Sequence, residues 1–176
     1  MRTVGESGHI IWINGSFGVG KTTVAGLLHD HIVGSLLFNP EHIGTILRLT
    51  MRGLPTDYQD LPVWRRTVRF IAGQLAIGST GPVIVPVTIA NEQYFDEIVG
   101  GLRIDGFTVR HVTLVASSAT IRSRMTMRTD ATPWAFEQID RCIAAFDGRE
   151  RFREYVETDG SPATVVAERV AASVAV

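Results

Sequence analysis

The eight residues at positions 15–22, Gly-Ser-Phe-Gly-Val-Gly-Lys-Thr, constrain this chain more than any other segment. They match the pattern G-x-x-x-x-G-K-[ST] of a phosphate-binding loop. The apolar residues 10–13 before the loop are typical of a buried strand. After the loop, apolar or aromatic residues recur with helical spacing at Val24, Leu27, Leu28 and His31. The motif therefore stands between a strand and a helix, where a phosphate-binding loop is expected.

The chemistry of such a loop assigns a role to each of its parts. Glycines let successive backbone N–H groups turn inward toward a phosphate, and the N-terminus of the next helix adds a positive pole. We expect Lys21 to reach the β- and γ-phosphates as a catalytic residue, and the Thr22 hydroxyl to bind Mg²⁺. The predicted nucleotide contacts are Gly15, Ser16, Phe17, Gly18, Val19, Gly20, Lys21, Thr22 and Thr23.

Composition narrows the class of protein. A length of 176 residues predicts one domain, and a net charge of −1 gives no electrostatic footprint for nucleic-acid binding. The single cysteine, Cys142, excludes an internal disulfide and fits a reducing cytoplasm. No apolar run is long enough for stable membrane insertion. We therefore expect a single cytoplasmic domain over residues 1–176 with a loose leader at 1–8. The oligomeric state is left open, and a homodimer is compatible with the sequence.

Strand and helix patterns alternate along the chain. Strands are predicted at residues 9–14, 35–39, 82–88, 109–115 and 155–158, and apolar residues with helical spacing fill the intervals. Such alternation predicts an α/β fold in which helices cover both faces of a parallel sheet. Ligands bind at the carboxyl ends of such strands, so Asn14, Asn39 and Thr88 are expected to surround one cleft.

Arginines are concentrated late in the chain, where we predict a lid over about residues 118–135. Arg124 and Arg128 are four residues apart, so on a helix they would project from one side and could close over a triphosphate as catalytic groups. The polar stretch 129–133 that follows is typical of a hinge. The alternative is a solvated helix face on which arginines serve solubility.

Residues between the second and third strands are candidates for binding the group that accepts the phosphoryl group. Glu41 could act as a general base, or its charge could only favour the start of a helix. Trp64 shares an apolar helical face, so a core position is the alternative for it. No acidic residue stands at the end of the third strand, so Mg²⁺ is expected to be held by Thr22, phosphates and water. The predicted substrate contacts are Asn39, Arg48, Trp64, Arg65 and Thr88.

Over nearly its whole length the chain resembles the tunicamycin resistance proteins. The most particular stretches are Ile-Val-Pro-Val-Thr-Ile at 84–89 and Gln-Ile-Asp-Arg-Cys at 138–142; residues 11–22, 39–41, 61–65 and 94–98 add to the resemblance. It implies a three-layer P-loop fold with a five-stranded parallel sheet of order 2-3-1-4-5, as in nucleoside and shikimate kinases. It also implies binding of ATP and Mg²⁺, and transfer of the γ-phosphoryl group to a hydroxyl of a tunicamycin-like nucleoside antibiotic.

The chain departs from that family at one point. An Asp-Pro-Glu triplet is expected where Asn39, Pro40 and Glu41 stand, and an asparagine cannot act as a base. Either Glu41 compensates, or the loose transition state of phosphoryl transfer needs no strong base. A drug-sequestering ATP-dependent binder and a metabolic nucleoside or nucleotide kinase therefore remain open beside the phosphotransferase.

Overall fold

The computed structural model describes residues 8–129 and 131–174, so most of the predicted leader lies outside the described residues. The strands are β1 (His9–Gly15), β2 (Leu36–Leu37), β3 (Val83–Pro86), β4 (Thr108–Val115) and β5 (Tyr155–Glu157). The helices are α1 (Lys21–His31), α2 (Glu41–Thr50), α3 (Pro62–Gly78), α4 (Glu92–Phe95), α5 (Gly101–Ile104), α6 (Ser118–Thr126), α7 (Pro133–Phe146) and α8 (Ala163–Val174). A 3₁₀ turn covers Tyr58–Asp60, a π-helical turn covers Asp96–Gly100, and a second 3₁₀ turn covers Glu150–Phe152.

The five strands form one parallel sheet in the order β2-β3-β1-β4-β5. This confirms the predicted fold class and strand order. The central strand β1 is buried on both faces because its side chains alternate between two apolar layers. Trp12 packs with α3 and the α4–α5 segment, while Ile11 and Ile13 pack with α1 and α8.

Strand ends differ from the predicted ones at the rim of the sheet. β3 ends at Pro86 rather than at residue 88, because proline has no N–H to continue the ladder. The backbone then holds one further bond, from Val87 N to Ile13 O at 3.0 Å, before it turns away. β2 has only two residues, and Phe38 N donates to Ile84 O just beyond it. Asn39 and Thr88 thus lie in loops past the carboxyl ends of their strands.

The predicted lid region, residues 118–135, contains α6 and the first three residues of α7. α6 ends at Thr126, so the prediction that Arg124 and Arg128 share one helix is wrong; Arg128 lies past the helix end. Arg122 on α6 pairs with Asp140 on α7 at 2.8 Å, which joins the two helices. Within residues 8–129 and 131–174, no helix is both long and apolar enough to cross a membrane.

Candidate functional site

The loop between β1 and α1 has the backbone shape that a phosphate-binding loop requires. Gly15, Gly18 and Gly20 have φ angles of 138°, 74° and 107°, a region that residues with a Cβ atom rarely adopt. At Gly15 a Cβ atom would also lie 2.5 Å from the carbonyl oxygen of Leu114. The loop leads directly into α1, whose first residue is Lys21. The N-terminus of α1 therefore faces the interior of the loop.

Two buried polar side chains fix the start of this loop to the end of β3. The Asn14 Oδ1 accepts from Gly15 N and from Ile89 N, both at 2.9 Å, and its Nδ2 donates to Ile89 O at 3.0 Å. Thr88 Oγ1 donates to Gly15 O at 2.8 Å. Asn14 and Thr88 therefore join the loop to the next strand, and Asn14 does so without reaching a cavity.

Lys21 lies within the loop. Its Nζ donates to Ser16 O at 2.8 Å and to Gly15 O at 3.0 Å. Burial lowers the pKa of Lys21 from 10.5 to about 8, with a further lowering from Arg128 that Glu41 opposes. A partly buried ammonium group surrounded by the loop backbone fits the anionic end of a nucleotide, which would stabilise its charge.

A cavity of about 720 Å³ opens beside the loop on the α8 side. Its lining includes seven of the predicted residues, namely Gly18, Val19, Gly20, Thr22, Thr23, Arg124 and Arg128. Thr158 and Ser161, which follow β5, line it as well, and sequence reasoning missed both. The signal was present as a polar stretch between the last strand and helix, but nothing in it resembles a known motif.

Arg124 is held in place rather than free to move over the loop. Its Nη1 donates to Val19 O at 3.2 Å and to Thr158 Oγ1 at 2.9 Å, and its Nη2 donates to Thr158 O at 2.8 Å. The guanidinium thus connects α6, the phosphate loop and the end of β5. The catalytic roles predicted for Arg124 and Arg128 stay predictions, now with both side chains at the wall of the nucleotide-sized cavity.

Among the described residues, no carboxylate lines the cavity that contains Thr22. Glu92, the acidic residue nearest the end of β3, pairs with Arg149 at 2.8 Å. In the described part of the chain no three His, Cys, Asp or Glu residues come together as a metal site. Thr22 remains the predicted protein ligand, since its side chain lines the cavity beside Lys21.

A second cavity, of about 50 Å³, lies on the other side of the loop, and we call it the acceptor cavity. It is lined by Phe17, Asp57, Gln59, Asp60, Thr88, Ala90, Asn91, Tyr94 and Arg141. Phe17 belongs to the loop, and its ring centroid is 5.8 Å from Lys21 Nζ. Of the predicted substrate contacts, only Thr88 lines this cavity. Asp57 and Asp60 were missed because they stand in a short irregular segment with no recognisable periodicity.

Two of the predicted substrate contacts turn out to be structural. The Trp64 side chain is fully buried in the core, where its Nε1 donates to Pro40 O at 3.2 Å, so the core alternative holds. Arg65 is also buried, and its Nε donates to Glu97 Oε2 at 2.6 Å. The guanidinium of Arg65 lies 4.1 Å from the centroid of the Tyr94 ring, and Tyr94 lines the acceptor cavity. The structure thus gives both side chains structural partners, and contacts from Trp64 and Arg65 to a ligand stay predictions.

The other three candidates do not line the acceptor cavity. Arg48 donates to Thr56 O at 2.9 Å and stacks over the Tyr58 ring. Asn39 Oδ1 accepts from Glu41 N at 3.0 Å, which starts α2. The Glu41 side chain is exposed in the first turn of that helix, although its charge acts on Lys21. Contacts from Asn39, Arg48 and Glu41 to a substrate stay predictions.

Comparison with known proteins places the chain in a family. A family model described as an AAA domain matches residues 10–153. The solved structure of the Deinococcus radiodurans tunicamycin resistance protein superimposes with a TM-score of 0.79 at 30% sequence identity, covering 96% of each chain. The chain belongs to the tunicamycin resistance protein family. Among functionally curated proteins, none matches this chain in sequence.

More distant structures share the fold of this tunicamycin resistance family member. An APS kinase from Mycobacterium tuberculosis has a TM-score of 0.70 at 16% identity, with 95% of this chain and 97% of that chain covered. A sugar kinase from Janibacter sp. HTCC2649 has a TM-score of 0.68 at 20% identity, with 95% and 94% covered. The family member thus has a P-loop, kinase-like fold, which implies nucleotide binding.

Proposed function

We propose that this protein is an ATP-dependent phosphotransferase that modifies a hydroxyl group of a tunicamycin-like nucleoside antibiotic. The observation that carries the proposal is the pair of cavities on opposite sides of one phosphate loop. Phe17 and Thr88 line the acceptor cavity. Both also connect the cavity to the phosphate loop, since Phe17 belongs to the loop and the Thr88 hydroxyl donates to the carbonyl oxygen of Gly15. A phosphoryl group held by the loop would therefore stand between a nucleotide and an acceptor.

The lining of the acceptor cavity favours an uncharged acceptor. Two carboxylates, Asp57 and Asp60, outnumber the single guanidinium of Arg141, and the remaining polar side chains are neutral. Negative charge in the lining repels acceptors that carry a phosphate or carboxylate near the reacting hydroxyl. Sugar and nucleoside hydroxyls carry no such charge, and amide and carboxylate groups can hydrogen-bond to them.

The size of the acceptor cavity limits what enters it. A volume of about 50 Å³ is several times smaller than the roughly 300–1,000 Å³ of a typical pocket for a small molecule. Only a hydroxyl-bearing end of the acceptor therefore fits inside, and the rest of a large molecule would lie at the mouth of the cavity. A drug of several linked sugars and a base is compatible with this arrangement because only one hydroxyl has to reach the phosphorus atom.

The residues of the loop supply the positioning that phosphoryl transfer requires. Inward-facing N–H groups and the α1 N-terminus orient the terminal phosphate, and the Lys21 ammonium neutralises charge as the bridging P–O bond breaks. Thr22 would hold Mg²⁺, which when bound shields the phosphate charge. Arg124 and Arg128 line the nucleotide side and would fix the remainder of ATP there. In this family member, catalysis would therefore rest mainly on orientation and charge.

A drug-sequestering binder is the second candidate, because Asn39 replaces an expected acid and the end of β3 carries none. Such a protein would protect cells only in proportion to its amount, whereas a phosphotransferase protects at substoichiometric levels. The same loop geometry serves both functions, so only a chemical measurement separates them.

The test is incubation of the protein with ATP, Mg²⁺ and tunicamycin, followed by mass spectrometry of the drug. We expect ADP and a drug product heavier by one phosphoryl group. Lys21→Ala is the control, since no other cation within the loop can replace the ammonium group. Unmodified drug beside intact ATP would contradict the proposal. If the wild-type protein leaves the drug unmodified but protects cells in proportion to its amount, the result would favour the binder.

A further inference from the structure

A phosphotransferase that acts on a hydroxyl gains rate from a group that takes its proton, and the structure offers two carboxylates near the loop. Glu41 lies exposed in the first turn of α2 and lines neither of the two cavities beside the phosphate loop. Asp57 lines the acceptor cavity directly, together with Phe17 of the loop. A proton acceptor must be within hydrogen-bond reach of the hydroxyl, so the position inside the cavity favours Asp57.

The local structure leaves one oxygen of Asp57 available. Oδ1 accepts from Gln59 N at 3.0 Å and caps the 3₁₀ turn Tyr58–Asp60. The 3₁₀ turn is also fixed to the segment after β3, because Gln59 Nε2 donates to Thr88 O at 2.7 Å. Oδ2 has its nearest cation, Arg141 Nη2, at 3.9 Å, which is too long for a hydrogen bond. The carboxylate is thus oriented by one oxygen while the other can receive a proton.

We propose that Asp57 is the catalytic base that accepts the proton of the acceptor hydroxyl in this protein. The inference rests on the phosphotransferase function proposed above. As the acceptor oxygen forms its bond to the γ-phosphorus of ATP, the bond from that phosphorus to the β,γ-bridging oxygen breaks and its electron pair leaves with ADP. The hydroxyl proton passes to Oδ2 of Asp57 and from there to solvent.

The surroundings of Asp57 suit that role. Partial burial raises the pKa of Asp57 above its usual value, and the neighbouring Asp60 raises it further. The Gln59 N–H, Arg141 and Arg48 lower the pKa of Asp57 and so oppose this shift. A carboxylate of raised basicity takes a proton more readily than a fully solvated one.

The inference is tested with Asp57→Asn, which keeps the size of the side chain and an oxygen that accepts from Gln59 N. We expect kcat for phosphoryl transfer to fall by about 100-fold or more, since general bases contribute typically 10² to 10⁴. The dissociation constant for a non-hydrolysable ATP analogue should stay within about twofold, because Asp57 lines only the acceptor cavity. Glu41→Gln tests the competing carboxylate and should cost less in kcat. Asp30→Asn, the same chemical change on an exposed residue of α1, should cost nothing.

Each result decides the question. A fall in kcat of about 100-fold or more in Asp57→Asn, with the fold and analogue binding retained, supports the inference. Unchanged kcat in Asp57→Asn, or a larger loss in Glu41→Gln, overturns it. If Asp57→Asn does not fold, Asp57→Ser provides a second capping side chain without a basic oxygen, and kcat equal to wild type would again overturn the inference. Absence of phosphoryl transfer by the wild-type protein would instead refute the function on which the inference rests.

Discussion

Nucleotide binding should depend steeply on pH because of the buried position of Lys21. Burial lowers the pKa of this side chain to about 8, whereas a solvated lysine titrates near 10.5. The anionic tail of a nucleotide stabilises the ammonium form, so the pKa of Lys21 in the complex is higher than in the free protein. Raising the pH above 8 therefore removes the charge from the free protein, and the nucleotide must bind together with a proton.

The size of the effect follows from that pKa. If only the ammonium form binds, the dissociation constant for an ATP analogue rises about tenfold between pH 7 and pH 9, or about 1.4 kcal/mol. A lysine that titrates at 10.5 would change the constant by only a few per cent over the same range. At pH 9, binding should also take up about 0.9 proton per protein molecule.

Isothermal titration calorimetry at constant ionic strength measures both quantities, with two buffers of different ionisation enthalpy at each pH. Lys21→Arg is the matched control, because a guanidinium stays charged throughout and its binding should not weaken with pH. A wild-type constant that changes less than twofold from pH 7 to pH 9 would refute the reasoning. An equal loss in Lys21→Arg would assign the effect to another group.

Three further substitutions test the framework around the site by equilibrium urea unfolding or calorimetry. Arg65→Ala should lower the free energy of unfolding by about 2 kcal/mol because it leaves Glu97 and a buried carbonyl without their partner, while Arg66→Ala at an exposed position should cost less than about 0.5 kcal/mol. Asn14→Ala removes three buried hydrogen bonds and should cost about 3 kcal/mol; a change below 1 kcal/mol would contradict the anchoring role. Gly18→Ala places a Cβ atom at a φ of 74° and 2.6 Å from a methionine side chain of α6, so analogue binding should weaken by at least about tenfold, and unaltered binding would show that the loop tolerates the change.

The sequence predicted the parts of this protein that repeat a known local pattern. The phosphate loop and the five strands follow from a motif and from periodicity, both of which depend on neighbours in sequence. The strand order was implied by the resemblance to the tunicamycin resistance proteins. The acceptor cavity could not be predicted in this way, because Asp57, Asn91 and Arg141 come from three separate segments that only the fold brings together. Their side chains carry no periodic signal, and charge alone does not show which of the many acidic residues faces a cavity.

Limits of the prediction at single residues have the same origin. Arg65 belongs to a segment between the second and third strands whose arginines are predicted to bind an acceptor. Its ion pair is not visible in the sequence, because its partner Glu97 is 32 positions away and only the packing of α3 against the π-helical turn Asp96–Gly100 brings the two together. Arg128 was placed on a helix with Arg124, yet the helix ends at Thr126, and helix ends are the least certain feature of a sequence pattern.

The hydrogen bonds of Asn14 and Thr88 have a consequence for how this protein could acquire new substrates. One wall of the acceptor cavity and the start of the phosphate loop share these buried bonds, so a substitution at Thr88 should also disturb the phosphate loop. The opposite wall, with Asp60 and Tyr94 at its surface, has no bond to the loop among the described residues. For the phosphotransferase proposed above, substitutions on that second wall should therefore change which acceptor binds while they leave the phosphate loop intact.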